Sequence, residues 1–366
     1  MEIFEVVANL GVIFLLFSVG LKTRMCELQA VGKSAITVAV LGVIFPFALG
    51  FGLIFVYENY FVVNENWLIH ALFMSAAMVA TCVGITARVL TDLNVIDTVE
   101  SKIIVGAAVV DDILAMIVLA IVAGVAGARM GGGTLDTVNI LASIGIAILF
   151  VAMILYLCIH GIPKVKEMHA KRNGVCDVRC QERDWPISYN PFPLAVLVCL
   201  GLSAMAMFLG LAAIIGAFLA GMLFGEFAGN KVEKEFKGIN SFLVPFFFVY
   251  VGMRVQTAGI IEIVPLMILT IVLAILGKYV AGYLGVVLTS DSLGKRAGNI
   301  VGVGMSPRGE VGIIVAAIGL TTGAISGSMY TVVVFMSIAT ALIAPPWLAS
   351  AFAKKYPQAR EPPSKR

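Results

Sequence analysis

Five charged side chains fall inside stretches apolar enough to cross a membrane: Asp111, Asp112, Lys278, Arg308 and Glu310. Insertion scales put a charge at the centre of a membrane helix at roughly +2.5 to +3.5 kcal/mol, so charges kept there mark a functional site. Asp111 and Asp112 stand side by side in KIIVGAAVVDDILAMIVLAIVAG. Adjacent residues on an α-helix point about 100° apart, so the two carboxylates cannot serve one small pocket in the same way. One can face a water-filled cavity and bind a cation while its neighbour turns to a buried base such as Lys278. A carboxylate that holds either a proton or a small hard cation, never both at once, is sufficient for proton-coupled exchange. The competing reading is a buried ion-pair network that only orients helices, and Arg308 with Glu310, two residues apart, suits it best.

The rest of the chain is built to hold such charges in lipid. Of 366 residues, 60% are hydrophobic and 13% charged, and the mean hydropathy is +1.02; a soluble domain carries about a quarter charged residues. The composition implies an all-α polytopic membrane protein with the lipid bilayer as its main partner. A formal charge of +3 gives no support to nucleic-acid binding, because the basic residues follow topology rather than one face. Cys26, Cys82, Cys158, Cys176, Cys180 and Cys199 lack the density of a disulfide scaffold and are read as reduced thiols. The first apolar stretch is long enough to span and runs into Lys22 and Arg24, so it is a membrane helix rather than a cleaved leader.

At about 20 apolar residues per span, the sequence predicts eleven helices, at 3–21, 35–57, 67–92, 101–124, 138–160, 191–208, 211–226, 240–254, 261–289, 297–320 and 328–352. Of the 25 Lys and Arg residues, all but Arg129, Arg254, Lys278 and Arg308 fall in loops on one side or in the C-terminal tail. The excess of positive charge on cytoplasmic loops then puts the C-terminus in the cytoplasm and the N-terminus outside, in the cell membrane.

A short echo divides the chain. FLLFSVGLK, ending at Lys22, and FFFVYVGMR, ending at Arg254, carry aromatic, aliphatic, glycine and basic residues in the same order. Loop charge puts Lys22 inside and Arg254 outside, so the two helices run in opposite directions, as inverted-topology repeats require. The expected organisation is an incomplete first repeat over 1–137, a linker helix and cytoplasmic loop over 138–190, a second repeat over 191–352 and a cytoplasmic tail over 353–366. Four helices precede the linker helix and six follow it. The first repeat therefore lacks two helices at its start, and either an upstream segment carries them or the repeat is degenerate.

Two spans carry the marks of interruption. In MVATCVGITARVL, Thr81, Cys82, Gly84 and Thr86 lower helical propensity within 67–92. In GVGMSPRGEVGII, Pro307 removes a backbone donor, and Gly304, Gly309 and Gly312 loosen the chain within 297–320. Unwound backbone at membrane depth is tolerated only where it lines a cavity or is buried in protein, and half-helix ends there offer carbonyls and amides to ions.

ATCVGITARVL, VVDDILAMIVLA, LGKYVAGYLG and MSPRGEVGIIVA, in that order, resemble the successive signatures of the cation:proton antiporter superfamily, in its Asp-Asp branch. The chain is most similar to thirteen-helix bacterial and archaeal sodium/proton antiporters. The resemblance implies two discontinuous crossed helices in a core domain that moves against a dimerisation domain in an elevator-like cycle, no cofactor, and sodium and protons as the transported ions. It implies that Asp112 binds the transported ion, that Asp111 is its partner in an ion pair with Lys278, and that Thr81 is the hydroxyl at the first helix crossing. The next position is often aspartate or serine in relatives and is Cys82 here. Arg308 and Glu310 are expected to compensate charge. Relatives with Asp-Asp and a lysine tend to exchange two protons for one sodium ion, whereas electroneutral ones usually carry Asn-Asp. Relatives also begin with two further helices that form part of a homodimer interface, which matches the pair missing from the first repeat.

Rival readings fit less well. An intramembrane aspartyl protease places its aspartates on separate helices, and a prenyl-transferring enzyme needs Asp-Asp-x-x-Asp, where this chain has Ala115. A potassium/proton antiporter or potassium efflux transporter shares the core, but efflux systems usually append a nucleotide-binding domain. A channel needs a continuous pore, on which the sequence is silent. Cys176, Cys180 and His169 do not have zinc-knuckle spacing. His70 and His160 read as interfacial residues at helix ends. Lithium is a second candidate cation beside sodium.

Overall fold

A computed structural model describes residues 2–22, 32–58, 67–96, 98–130, 190–209, 211–256, 259–289 and 294–355, with isolated positions between 145 and 156. The predicted linker helix 138–160 lies almost wholly outside the described residues, and so does the loop carrying His169, Cys176 and Cys180.

Eleven α-helices are described: α1 (Glu2–Lys22), α2 (Lys33–Tyr57), α3 (Trp67–Val79), α4 (Val83–Asp92), α5 (Val99–Met130), α6 (Pro191–Phe208), α7 (Ala213–Met253), α8 (Ile260–Thr289), α9 (Gly294–Gly304), α10 (Glu310–Thr321) and α11 (Gly327–Lys355). Eight helical stretches, counting Trp67–Asp92 as one, are long and apolar enough to cross a membrane. The two predicted interruptions are present: α3 and α4 form one broken span, α9 and α10 the other. The first break covers only residues 80–82, so Gly84 and Thr86 are helical.

The helices gather into two compact units, Met1–Ala30 with Ala123–Arg254, and Val31–Val122 with Val255–Arg366. Each unit takes helices from both halves of the sequence, and the boundary falls inside α5.

In the first unit α1 packs against α6 and, above all, α7. Asn190 caps α6: its side-chain oxygen accepts from the Phe192 amide at 3.1 Å, and Pro191 occupies the first turn, where no amide is needed. The sequence predicts two spans, 211–226 and 240–254, with a charged loop around Lys231–Lys237 between them. The residues are instead helical throughout from Ala213 to Met253. Gly221 lies against Phe17 and Gly225 against Leu21, so this arm runs parallel to α1. Farther on, Phe236 stacks near Phe14 and Phe17, and Phe246 and Tyr250 near Phe4, so the later arm runs antiparallel. The chain therefore changes direction relative to α1 between Gly225 and Val232. Glu233, Lys234 and Lys237 read as loop because a solvated helix face has the same composition; Val232 and Phe236, both fully buried, face the other way. The antiparallel packing of α1 on the later arm of α7 gives the two echoed segments opposite directions.

In the second unit, α2 packs on α3 and α8, α8 on α9 and α11, and α11 on α10 and α9. Its core is rich in small residues, including Ala39, Ala107, Ala108 and Ala297 beside Val38, Ile104, Ile300 and Val301, which lets helix backbones approach closely where lipid offers no hydrophobic drive. α8 comes close to the α9 backbone: a Cβ on Gly282 would lie 2.7 Å from the Gly302 Cα and 2.9 Å from its amide nitrogen. Only backbone is there to move aside. Gly282→Val should therefore destabilise the second unit by about 1–3 kcal/mol, the usual cost of overpacking. Gly52→Val on α2, where nothing lies within 4 Å of the added carbon, should leave stability unchanged. Thermal unfolding of the purified protein in one detergent compares the two.

Candidate functional site

Each interrupted span leaves carbonyls at the end of its first half-helix and amides at the start of its second, with no partner along their own strand of helix. The two breaks meet these needs for each other. The Cys82 amide donates to the Pro307 carbonyl at 2.9 Å. Thr86, one turn into α4, donates its hydroxyl to the Gly304 carbonyl at the end of α9, also at 2.9 Å. Arg308 does the same for α3: one guanidinium nitrogen donates to the carbonyls of Val79 and Ala80 at 3.0 and 2.9 Å, and the other to the Ala274 carbonyl of α8 at 2.9 Å. Its backbone amide donates to the Thr340 hydroxyl of α11 at 3.1 Å. Arg308 is fully buried, and its charge lies at the negative end of a half-helix, where a cation is favoured.

The breaks can approach this closely because of Gly309. A Cβ there would lie 2.6 Å from both Cβ and Sγ of Cys82. Glu310 follows and opens α10, which places its carboxylate at the positive end of that half-helix. Its partner is the Cys82 thiol, which donates to Oε2 at 3.2 Å. The pairing of Arg308 with Glu310 weighed from the sequence does not form: the guanidinium turns to carbonyls on one side and the carboxylate to a thiol on the other.

α5 brings the two aspartates to this crossing, and they part company there. Asp111 and Lys278 are both fully buried, with Nζ 2.5 Å from Oδ1. Gly42 of α2 adjoins the pair; a Cβ there would sit 3.2 Å from Nζ and 3.4 Å from Oδ1. Asp112 is 5% exposed, and among the described residues its carboxylate has neither a hydrogen bond nor an ion pair. The charges that act on it are those of Asp111, Glu310 and Lys278. Thr81, 3% exposed, has a hydroxyl oxygen without a hydrogen-bond partner among the described residues.

All seven residues singled out from the sequence thus belong to the second unit. Thr81, Cys82, Arg308 and Glu310 sit in or beside the two breaks; Asp111 pairs with Lys278, and Asp112 lies within reach of the charges of both that pair and Glu310. No group of three His, Cys, Asp or Glu side chains is placed to hold a metal ion among the described residues. A hard cation at Asp112 would have to complete its shell with neutral oxygens, of which the Thr81 hydroxyl is a candidate.

Sequence reasoning missed the Thr86 and Thr340 hydroxyls and the Ala274 carbonyl. A threonine inside a greasy run is so often bonded to its own helix that it gives no signal. It also missed the partner of His70, which is 8% exposed with its Nδ1 2.6 Å from Oε1 of Glu58, itself buried at the end of α2.

Removing one partner of a buried ion pair strands the other charge. Lys278→Met should lower stability by about 3–5 kcal/mol, and adding Asp111→Leu to it should recover most of that loss. Chemical unfolding of the two variants in lipid nanodiscs measures the difference.

Comparison with known proteins agrees with this geometry. The sequence profile of the transmembrane sodium/hydrogen exchanger family matches residues 1–354. The high-affinity Na(+)/H(+) antiporter NhaS3 of Synechocystis is 34% identical over 364 positions, covering 96% of this chain and 72% of the relative. The Na(+)/H(+)-K(+) antiporter GerN of Bacillus cereus is 32% identical over 358 positions, covering 97% and 84%. In fold, the chain is similar to the sodium proton antiporter MjNhaP1 of Methanocaldococcus jannaschii at pH 8, with a TM-score of 0.67 and 17% identity over 97% of this chain and 86% of that one. The crossed half-helices, the apolar spans and the profile match converge, and the chain belongs to the sodium/hydrogen exchanger family.

Proposed function

We propose that sodium/proton exchange by this chain takes place at Asp112, where one carboxylate accepts either ion in turn. The observation that carries this reading is a nine-tenths buried aspartate with no partner of its own, next to an aspartate that has one. An uncompensated carboxylate in an apolar span is stabilised only when something binds or protonates it. Asp111 is the fixed member: with Lys278 it forms a neutral pair that persists while Asp112 changes its load. Arg308 positions the crossing, Thr81 offers a neutral oxygen to the cation, and Cys82 and Glu310 are hydrogen-bonded across the two breaks.

Sodium is the cation, with lithium next. Both curated relatives described above are named as sodium/proton antiporters, and the second name adds potassium. That name is the reason to keep a potassium/proton antiporter as the second reading. The cycle alternates access by movement of the crossing against the first unit in an elevator-like manner, within a homodimer in the cell membrane. Loop charge places the N-terminus of this chain outside and its C-terminus in the cytoplasm. No cofactor takes part.

In proteoliposomes with an internal pH dye, a sodium gradient should drive proton movement, and Asp112→Asn should reduce it to the level of empty vesicles. Unchanged transport by that variant rejects the assignment. Lithium should drive nearly as much flux as sodium and potassium far less; equal flux with potassium favours the second reading.

The ion pair of Asp111 with Lys278 supports electrogenic exchange, the mode that the resemblance links to Asp-Asp with a lysine. With the membrane potential clamped by potassium and valinomycin, an inside-negative potential should speed proton entry against sodium exit, and a rate indifferent to potential rejects electrogenic exchange.

A further inference from the structure

We infer that Glu58 and His70 form a proton-binding site in the outer half of the second unit, separate from Asp112, through which the pH of the outer solution sets the affinity for sodium. Loop charge assigns the side of the membrane, and nothing in the pair depends on which residue exchanges the ions.

Glu58 follows the last residue of α2 and His70 lies in the first turn of α3, so the two helix ends meet through their side chains: Nδ1 is 2.6 Å from Oε1. Glu58 is 4% exposed and His70 8%. The other carboxylate oxygen, Oε2, is buried without a hydrogen-bond partner among the described residues. A pair that only fastened two helices would have its buried polar atoms met. One proton held between the side chains makes the pair neutral, whether it sits on the imidazole or on the carboxylate. Without that proton the pair is an anion with one oxygen unmet, and a buried anion that lacks a counter-charge is costly. Imidazole is also the side chain that ordinarily changes charge between about pH 5 and 8.

The helices packed around the pair bring no charge that could stand in for the proton. α2, α10 and α11 pack on α3, and α8 packs on α2. Besides Glu58, α2 offers Tyr57 at this end and Lys33 at the other; α3 has no further titratable residue than His70. α10 meets α3 here by its last turns, since Gly319 packs on Phe73, and its one charged residue, Glu310, is at the opposite end. α11 carries Tyr330 near its start and Lys354 and Lys355 at its far end. α8 carries Glu262 in its first turn, exposed, with Lys278, Tyr279 and Tyr283 farther along.

The two helices joined by the pair also frame the exchange site. Near the same ends Trp67 packs edge-on against Phe51 and Phe55. Farther in, a Cβ on Gly50 would lie 2.9 Å from the Ser75 Cα and 3.0 Å from the Met78 Sδ, so α2 and α3 touch almost as far as the first break. There Arg308 holds the carbonyls of Val79 and Ala80, just before Thr81. α2 carries Gly42 beside the ion pair of Asp111 with Lys278. Water drawn to the deprotonated pair spreads the outer ends of α2 and α3, and Thr81 moves with α3. The bound proton therefore holds the site in the geometry described, and its release into an alkaline outer solution weakens sodium binding.

Proteoliposomes with the protein in one orientation, the pH on the inner face held constant and that on the outer face varied, give the KM for sodium on the outer face. Proton competition at the exchange site alone makes that KM fall as the outer solution becomes alkaline. In the wild type it should then turn and rise about fivefold or more between about pH 7 and about pH 9, the size of an ordinary coupling between two sites. Glu58→Gln keeps a hydrogen bond to His70 and cannot ionise, so the rise should vanish in it while the fall remains. A wild-type curve without the rise, a rise that persists in Glu58→Gln, or a rise that follows the inner pH instead overturns the inference. Nitrogen-15 NMR of the wild-type histidines in lipid reads the proton itself and serves equally if Glu58→Gln fails to fold. The chain has three histidines, and the signal missing from His70→Gln is that of His70. One of its ring nitrogens should change protonation over the same pH range, and should do so equally in Asp112→Asn, where exchange is lost. A His70 signal constant with pH overturns the inference whatever the outcome at Asp112.

Discussion

Backbone that stops being helical partway through an apolar span must find hydrogen bonds from its neighbours, because lipid supplies none. That constraint organises the second unit. Two interruptions are brought together so that each supplies what the other lacks: an amide of the first bonds a carbonyl of the second, a threonine beyond the first caps the half-helix before the second, and Arg308 reaches back to cap the half-helix before the first. Arg308 also bonds α8 and, through its amide, α11. One residue therefore ties the crossing to both helices that flank it, its side chain to α8 and its amide to α11.

Within the frame, the chemistry depends on asymmetry between neighbours. Asp111 and Asp112 are adjacent on one helix, so their side chains leave it about 100° apart. The angle lets one meet Lys278 while the other does not. A permanent ion pair next to a carboxylate without one separates a constant charge from a variable one. If both aspartates shared the lysine, cation binding would compete with a strong internal partner; if neither had it, the uncompensated charge in the span would be larger by one.

Much of this was legible in residue order. Hydropathy gave most of the described spans, proline and glycine gave the second break, weak helix formers such as Thr81 and Cys82 gave the first, and the isolated charges gave five members of the site, because lipid penalises charge and proline so heavily that their presence is informative. Partnership was less legible. Arg308 and Glu310, two apart, invite pairing on proximity in sequence, but a break in the helix lets consecutive residues point to different neighbours. Backbone carbonyls as partners leave no trace in residue type, so the link from Arg308 to Val79, Ala80 and Ala274 was invisible. The helical state of the charged stretch inside α7, read as a loop, was missed for a related reason: glutamate and lysine suit a loop and a solvated helix equally, and only the burial of Val232 and Phe236 distinguishes them.

Cys82 is the residue whose meaning changed most between sequence and structure. At a position where a carboxylate or hydroxyl would offer oxygen to a hard cation, a thiol is a poor ligand, since soft sulfur does not suit sodium. The structure gives the thiol a different task. It donates to Glu310 across a contact that only glycine at 309 allows, so the acid at this contact is carried by the other broken helix rather than by residue 82. At the start of α10 that carboxylate lies on a half-helix end that stabilises its charge. On this view the cysteine is a consequence of where the acid sits: with Glu310 reaching across the crossing, a second carboxylate at 82 would add a third uncompensated charge, and a small neutral donor is what the remaining space and charge permit.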